Sequence, residues 1–382
     1  MTEENKSIGN FPNLRFPGFE GEWKENKLID LCSINPRNES LPNIFVYIDL
    51  ESVVDGHLQK ENTILKKEAP SRAQRLLLKN DILFQMVRPY QKNNLFFDKN
   101  GDYVASTGYA QIRTNENSIF IFQYLHNQKF VDKVIEKCTG TSYPAINSSD
   151  LGKIQINIPK LEEQKKIGDF LNLICQRILS QKKIIEKLET LIKESRKKLF
   201  YRKIKFKNNN GGDFPIWEMK EFNSVIASIP TKKFQIKSSE ICKDGKYRVV
   251  DQGQYHIAGY SDNEINLFKD FPVIIFGDHT TILKYIDFEF IVGADGTKIL
   301  KAKNNDYLNY LFHNLIFRNV ESEGYKRHFT ILSDIYMDIP CLEEQVKIAN
   351  FLSSIQKKID TERNILGKLD LQKKFLLANL FV

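Results

Sequence analysis

What most constrains this chain is a string that occurs twice. Residues 158–171, which begin Ile158-Pro159-Lys160-Leu161-Glu162-Glu163-Gln164, return at 339–352 as Ile339-Pro340-Cys341-Leu342-Glu343-Glu344-Gln345, with ten identities in fourteen positions at an offset of 181. That agreement implies an internal duplication, so any fold for this chain has to be built twice.

The alternation Ile154-x-Ile156-x-Ile158, matched by Ile335-x-Met337-x-Ile339, predicts a strand ended by proline in each copy. A helix follows, with paired glutamates in its first turn, where negative charge meets free N–H groups and the positive end of the dipole. Apolar residues then recur alternately four and three apart, the seam of a coiled coil. The first seam runs Ile167, Leu171, Ile174, Ile178, Gln181, Ile185, Leu188, Ile192, Ser195, Leu199. The second runs Ile348, Leu352, Ile355, Ile359, Glu362, Leu366, Leu369, Lys373, Leu376, Leu380. Gln181 and Glu362 hold the same place in the two seams and read either as a register-setting polar layer or as solvated positions.

Two seams in one chain can cover each other, so the expectation is an antiparallel intramolecular pair. Each helix would span about 50 Å at 1.5 Å per residue, carry the intervening domains to opposite ends and act as a ruler.

At 382 residues the chain suits two or more domains, and 41% hydrophobic residues suffice for packed cores. There is no run of about eighteen apolar residues, and Met1-Thr2-Glu3-Glu4 lacks a basic-then-apolar start, so a cytoplasmic protein without membrane association is expected. Cys32, Cys138, Cys175, Cys242 and Cys341 are scattered and form no CxxC, which argues against a disulfide framework or zinc. The net charge of +8 resides in residues 161–207, and the rest sums to zero. Part of that excess compensates the helix dipole and part suits phosphate contact.

The domains read as 1–157, a first strand-rich domain; 158–207, the first long helix; 208–338, a second strand-rich domain; and 339–382, the second long helix. Residues 1–13 read as a loose tail, and Asn208–Gly212 as a linker by composition. Candidate strands are Phe45–Leu50, Asp81–Val87, Asn94–Phe97 and Tyr103–Ala105, with an Asn100-Gly101 hairpin between the last two and a helix over 119–137. The second half repeats this with strands Val273–Phe276, Ile282–Tyr285 and Phe288–Val292 and polar loops at 277–281 and 293–297. Phe16-Pro17 matches Phe214-Pro215, Val104–Gly108 matches Ile291–Gly296, and Tyr124–Asn127 matches a helix containing Leu311–Asn314. The fold class is therefore α+β: two strand-rich recognition domains related by an internal repeat and separated by two long helices pairing as an antiparallel coiled coil.

Catalytic signatures are missing. There is no GxxxxGK[ST] loop, no glycine-rich S-adenosylmethionine fingerprint and no Asn-Pro-Pro-aromatic string; Asn35-Pro36-Arg37 reads as a turn. Glu22-Trp23-Lys24 and Glu218-Met219-Lys220 imitate part of a nuclease motif without a suitable acidic partner. His126 and His313 sit among apolar helix residues and read as packing, and His57 and His256 carry no motif. His279 stands in a polar loop with Asp278, Thr280 and Thr281 that suits base or phosphate contact. The candidate DNA-contacting loops hold Arg88, Gln91, Lys92, Asn93, Thr107, Ser142 and Tyr143 in the first domain, and His279, Thr280, Thr281, Lys298, Lys326 and Arg327 in the second, because Arg, Asn and Gln are the side chains that read base edges bidentately. Two unlike readers on one chain suit a split, asymmetric duplex site.

This architecture strongly resembles the specificity (S) subunit of type I restriction-modification systems. The repeated Ile-Pro-x-Leu-x-Glu-Gln-x-x-Ile-x-x-Phe-Leu string, the domain–helix–domain–helix order, and strings such as Lys79–Phe84 and Phe276-Gly277-Asp278-His279-Thr280 carry the resemblance across the whole chain. It implies a non-catalytic target-recognition subunit with no cofactor of its own. Its partners would be double-stranded DNA, two modification (methyltransferase) subunits carrying S-adenosylmethionine, and restriction (translocase/nuclease) subunits using ATP and Mg. The alternatives are the specificity subunit of a system with a combined methylase-nuclease chain, or a DNA methyltransferase or nuclease in its own right.

Overall fold

The structure is a computed structural model, and it describes all residues except 1–8, 39, 294, 319, 323 and 325. The readings placed on the Met1–Glu4 start, on the first part of the tail and on Ala294 lie outside the described residues. The chain forms two compact units, residues 1–182 with 364–382, and residues 183–363.

In the first unit, strand Lys24–Lys27 pairs antiparallel with Gln155–Ile158, the strand that feeds the first long helix. Two four-stranded sheets follow. One orders Cys32–Ile34, Tyr109–Thr114, Ile82–Gln85 and Leu95–Phe96; the other orders Asn62–Leu65, Ile44–Ile48, Tyr103–Ser106 and Ala73–Leu76, with the middle pair parallel.

The second unit repeats the plan. Glu218–Glu221 pairs with Tyr336–Ile339. One sheet orders Ile226–Ile229, Thr297–Ala302, Val273–Gly277 and Leu283–Ile286; the other orders Gly259–Ser261, Tyr247–Val250, Phe290–Val292 and Leu267–Phe268, again around a parallel pair. The first unit also carries a small hairpin, Val53–Val54 with His57–Leu58.

Two expectations are corrected. The Asn100-Gly101 hairpin does not form: Leu95–Phe96 pairs with Ile82–Leu83, whereas Tyr103–Ser106 crosses to the other sheet beside Ile44–Ile48. Val104, Ala105 and Ser106 are all buried, as a strand between two neighbours requires, and an edge hairpin would have left one face wet. The helix over 119–137 divides into Ser118–Tyr124 and Gln128–Glu136, because Asn127 caps the second piece through Lys129 N–H (2.8 Å).

The long helices are Leu161–Phe200 and Leu342–Asn379, of 40 and 38 residues. In the first unit the beginning of one packs on the end of the other. Ile167 and Leu171 share a core with Leu376, Leu380 and Phe381, which also holds Trp23, Phe120 and Tyr124. In the second unit the directions are likewise opposed: Arg363 donates to Glu189 at 2.5 Å. The helices are therefore an antiparallel pair. Of the seam positions, Ile167, Leu171, Ile178, Ile185, Ile192, Leu199, Ile348, Leu352, Ile355, Ile359, Leu369, Leu376 and Leu380 are buried, while Ile174, Leu188 and Leu366 are half-buried. Gln181 and Glu362 are each 7% exposed, which removes the solvated reading of both.

The repeated string has a physical account. Gln164 accepts from Asn117 N–H (3.2 Å) and donates to the Pro159 carbonyl (2.9 Å) and Glu116 (2.8 Å). Gln345 accepts from Tyr307 N–H (2.7 Å) and donates to the Pro340 carbonyl (3.0 Å) and Asp306 (2.8 Å). One buried amide thus ties strand end, helix start and the loop before the small helix in each copy. Lys166 lies over Phe16 and Lys347 over Phe214, 5.6 and 5.3 Å from the ring centres. The glutamates differ: Glu163 takes both oxygens to Arg15 at 2.8 Å, and Glu344 accepts from Trp217 Nε1 at 2.8 Å.

Candidate nucleic-acid interface

In the first unit the chain leaves strand Ile82–Gln85 into a tight turn in which Arg88 and Lys92 both have left-handed backbone, at φ 52° and 54°. Arg88 N–H donates to the Pro144 carbonyl (2.7 Å), and its guanidinium stacks 4.1 Å from the centre of the Tyr143 ring. Tyr143 is 65% exposed and Ser142 is exposed beside it. Arg88, Ser142 and Tyr143 therefore share one surface. Met86 N–H donates to the Gly108 carbonyl (3.1 Å), which brings the Thr107 turn alongside the end of that strand.

The other predicted residues of this loop hydrogen-bond within the fold, although Gln91 is exposed. Asn93 donates to Val53 O (2.6 Å) and accepts from Gly56 N–H (3.0 Å), pinning the small hairpin. Lys92 Nζ donates to His126 O (3.1 Å) and Gln128 (2.8 Å), and burial lowers its pKa. Gln91 accepts from Gln85 Nε2 at 3.0 Å.

In the second unit the predicted residues gather around Asp278, which is 3% exposed. Asp278 N–H donates to Gly296 O (2.7 Å), its carbonyl accepts from His328 N–H (2.8 Å), and its carboxylate accepts from Phe329 N–H (2.8 Å). Lys298 Nζ stands 3.8 Å from the same carboxylate. His279 Nδ1 donates to Lys326 O (3.0 Å), which draws the Lys326-Arg327 segment onto the Gly277–Thr281 turn, and both of those basic residues are exposed. Thr280 Oγ1 donates to Gln252 O (2.6 Å) and Thr281, at φ 57°, donates to Thr280 O (2.7 Å), so both hydroxyls close the turn.

Sequence reasoning missed Gln252 and the loop that contains it, and it missed the fully buried His328. The composition of Asp251-Gln252-Gly253-Gln254-Tyr255-His256, polar and aromatic directly after a β-rich run, is the signal that would have found the loop. Among the described residues no group of three or more His, Cys, Asp or Glu side chains is placed to hold a metal ion, and no helix is long and apolar enough to cross a membrane.

Two copies of one α+β module, each abutting the paired long helices, define a tandem protein built on a duplicated scaffold. The profile of the type I restriction modification DNA specificity domain matches the chain twice, over residues 20–190 and 192–371. The chain belongs to that family: it is a specificity subunit with two DNA recognition domains, a non-catalytic role.

It is 26% identical over 376 residues to the MjaVIII specificity subunit of Methanocaldococcus jannaschii, spanning 89% of this chain and 86% of that protein. It is 29% identical over 182 residues to the HindI specificity subunit of Haemophilus influenzae, spanning 44% of this chain but only 39% of that one. Among solved structures, the type I restriction-modification S subunit from M. genitalium shares the fold with a TM-score of 0.68 at 17% identity, over 97% of this chain and 99% of that one. A chain solved in work on complex assembly and conformational transition of the type I R-M system gives 0.54 at 21% identity, over 96% and 98%.

Proposed function

We propose that the two recognition domains, residues 1–157 and 208–338, read the two unlike halves of one bipartite, asymmetric DNA site, and that the helices 158–207 and 339–382 set the spacer. The observation that carries this reading is the pairing of matched sheets with unmatched loops. Strand order and the central parallel pair repeat, yet the loop after the first parallel strand is an eight-residue turn, 251–258, in one domain and a turn plus hairpin in the other. Shared scaffolds with divergent loops are what two different words require.

In the first domain the contact surface is built on Arg88, Ser142 and Tyr143, with Thr107 adjacent and with Gln91, Lys92 and Asn93 holding the loop. In the second it is built on His279, Lys298, Lys326 and Arg327 over the turn closed by Thr280 and Thr281. The partners are two modification subunits that carry S-adenosylmethionine and methylate adenine in each half, and restriction subunits that use ATP and Mg. This chain binds no cofactor and works in the cytoplasm.

The test is to co-express the chain with its modification subunits and map methylated adenines across the host genome. Two unlike short words separated by a fixed unread gap are expected; one continuous or palindromic word would contradict the proposal. Transfer of label from S-adenosylmethionine to DNA by the purified chain alone would favour the enzymatic alternative.

A further inference from the structure

The loop Asp251–His256 of the second recognition domain is held from several sides. Lys284, only 5% exposed, donates through Nζ to the carbonyls of Asp251 (2.8 Å) and Tyr255 (2.5 Å) and stands 3.5 Å from the Asp251 carboxylate. Gln252 accepts from His279 N–H (3.1 Å) and donates to Asp295 O (2.8 Å), while Thr280 Oγ1 bonds its carbonyl. Gly253 N–H donates to Asp251 (2.8 Å).

Two glycines show how closely the neighbouring loops approach. A Cβ on Gly277 would lie 2.1 Å from Thr280 Oγ1 and 3.0 Å from Gln252 O. On Gly296, whose φ is +83°, it would lie 2.8 Å from Gln252 Nε2. Burying a lysine to bind main-chain carbonyls costs desolvation, and what it yields here is a loop of fixed shape.

That fixed loop presents Gln254 and Tyr255 to solvent, with His256 exposed next to them and its ring 5.8 Å from that of Phe288. Gln254 is exposed, and Tyr255 is 80% exposed although the carbonyl of the same residue is anchored by Lys284. A ring so exposed contributes little to the fold, but on a rigid backbone it offers contact area at small entropic cost to binding. The Gln254 amide has the donor and acceptor pair that matches adenine N6 and N7 in the major groove.

We propose that Gln254 and Tyr255 are specificity-determining residues of the second recognition domain, Gln254 reading a base edge and Tyr255 packing beside it, with Lys284 as the positioning residue. This rests on the reading that the domain binds DNA. The first domain offers something else at the equivalent place. Its strand Ile44–Ile48 leads into a turn closed by Asp49 on Ser52 (2.8 Å) and then into the hairpin pinned by Asn93.

The test uses the full chain in complex with its modification subunits, comparing methylation of duplexes that differ by single base pairs. Gln254→Ala and Tyr255→Ala should each lower discrimination at one or two adjacent base pairs of one half-site by roughly five- to 150-fold, leaving the other half-site intact. Gln254→Glu should move the preferred base at that place from adenine toward cytosine, whose amino group a carboxylate accepts. Lys284→Met should blur the same base pairs, whereas a purely structural lysine would lower all methylation evenly. Unchanged discrimination in both alanine variants overturns the assignment. A wild-type complex that marks no sequence at all overturns the DNA reading, and this assignment with it.

Discussion

A single side chain explains why the duplicated string looks as it does. Gln164 and Gln345 each satisfy a proline carbonyl and a loop N–H at once, a pairing that a side chain without an amide cannot reproduce. Gln164→Ala or Gln345→Ala should destabilise the chain by about 1–3 kcal/mol through the stranded partners, measured by chemical denaturation. The buried histidines make a second point at this scale. His126 is held to about 4 by burial, reinforced by Lys373 and Lys92, and His313 to about 3 by burial, reinforced by Arg196, whose guanidinium is 3.5 Å from its Nδ1. Both are depressed below the unfolded value near 6.5, so the unfolded chain takes up protons that the fold refuses. Their contribution to stability is fully present above about pH 6.5 and is lost as pH falls to about 4 for His126 and about 3 for His313. The thermal midpoint should drop over that window, and replacing both rings with neutral residues should flatten the drop.

At the scale of elements, the heptad spacing predicts which helix faces are covered, and burial follows that spacing with few exceptions. Leu171 and Leu352 are both fully buried, whereas Leu173 on the first helix is 63% exposed. Leu171→Ala and Leu352→Ala should each cost about 2–5 kcal/mol by opening a cavity beneath the seam. Leu173→Ala should change stability by less than about 0.5 kcal/mol, and a loss at Leu173 equal to that at Leu171 would mean the seam has been drawn on the wrong face. Disulfide trapping gives an independent check on direction: cysteines near Ile174 should link to cysteines near Leu376 and not to those near Ile355.

For the whole molecule, duplication predicts separable halves. Exchanging residues 208–338 for the corresponding domain of another family member should change one half of the methylated word and leave the other untouched. The spacer belongs to the helices. Inserting four residues, about one turn or roughly 6 Å, after both Gln181 and Glu362 should lengthen the tolerated gap by one or two base pairs without altering either word. An insertion in one helix alone should lower stability, because the seams would lose register. Methylation mapping reads both results, and an unchanged gap in the double insertion would end the ruler idea.

What the residues alone determined is the periodic part. The duplication, the strand-to-helix joints, the apolar seams and the family resemblance all follow from patterns local in the chain, where a spacing of two or of three and four leaves little freedom. The tertiary structure decided what depends on partners distant in sequence. It sent Tyr103–Ser106 to the second sheet instead of a hairpin, because that strand is covered on both sides. It turned Asn93 and Lys92 inward to hydrogen-bond with Val53 and His126, and gathered Gln252, Thr280 and Gly296 from three loops. No local pattern encodes those meetings, because loops carry no periodicity and their side chains bond to whatever backbone the folded sheets bring within reach.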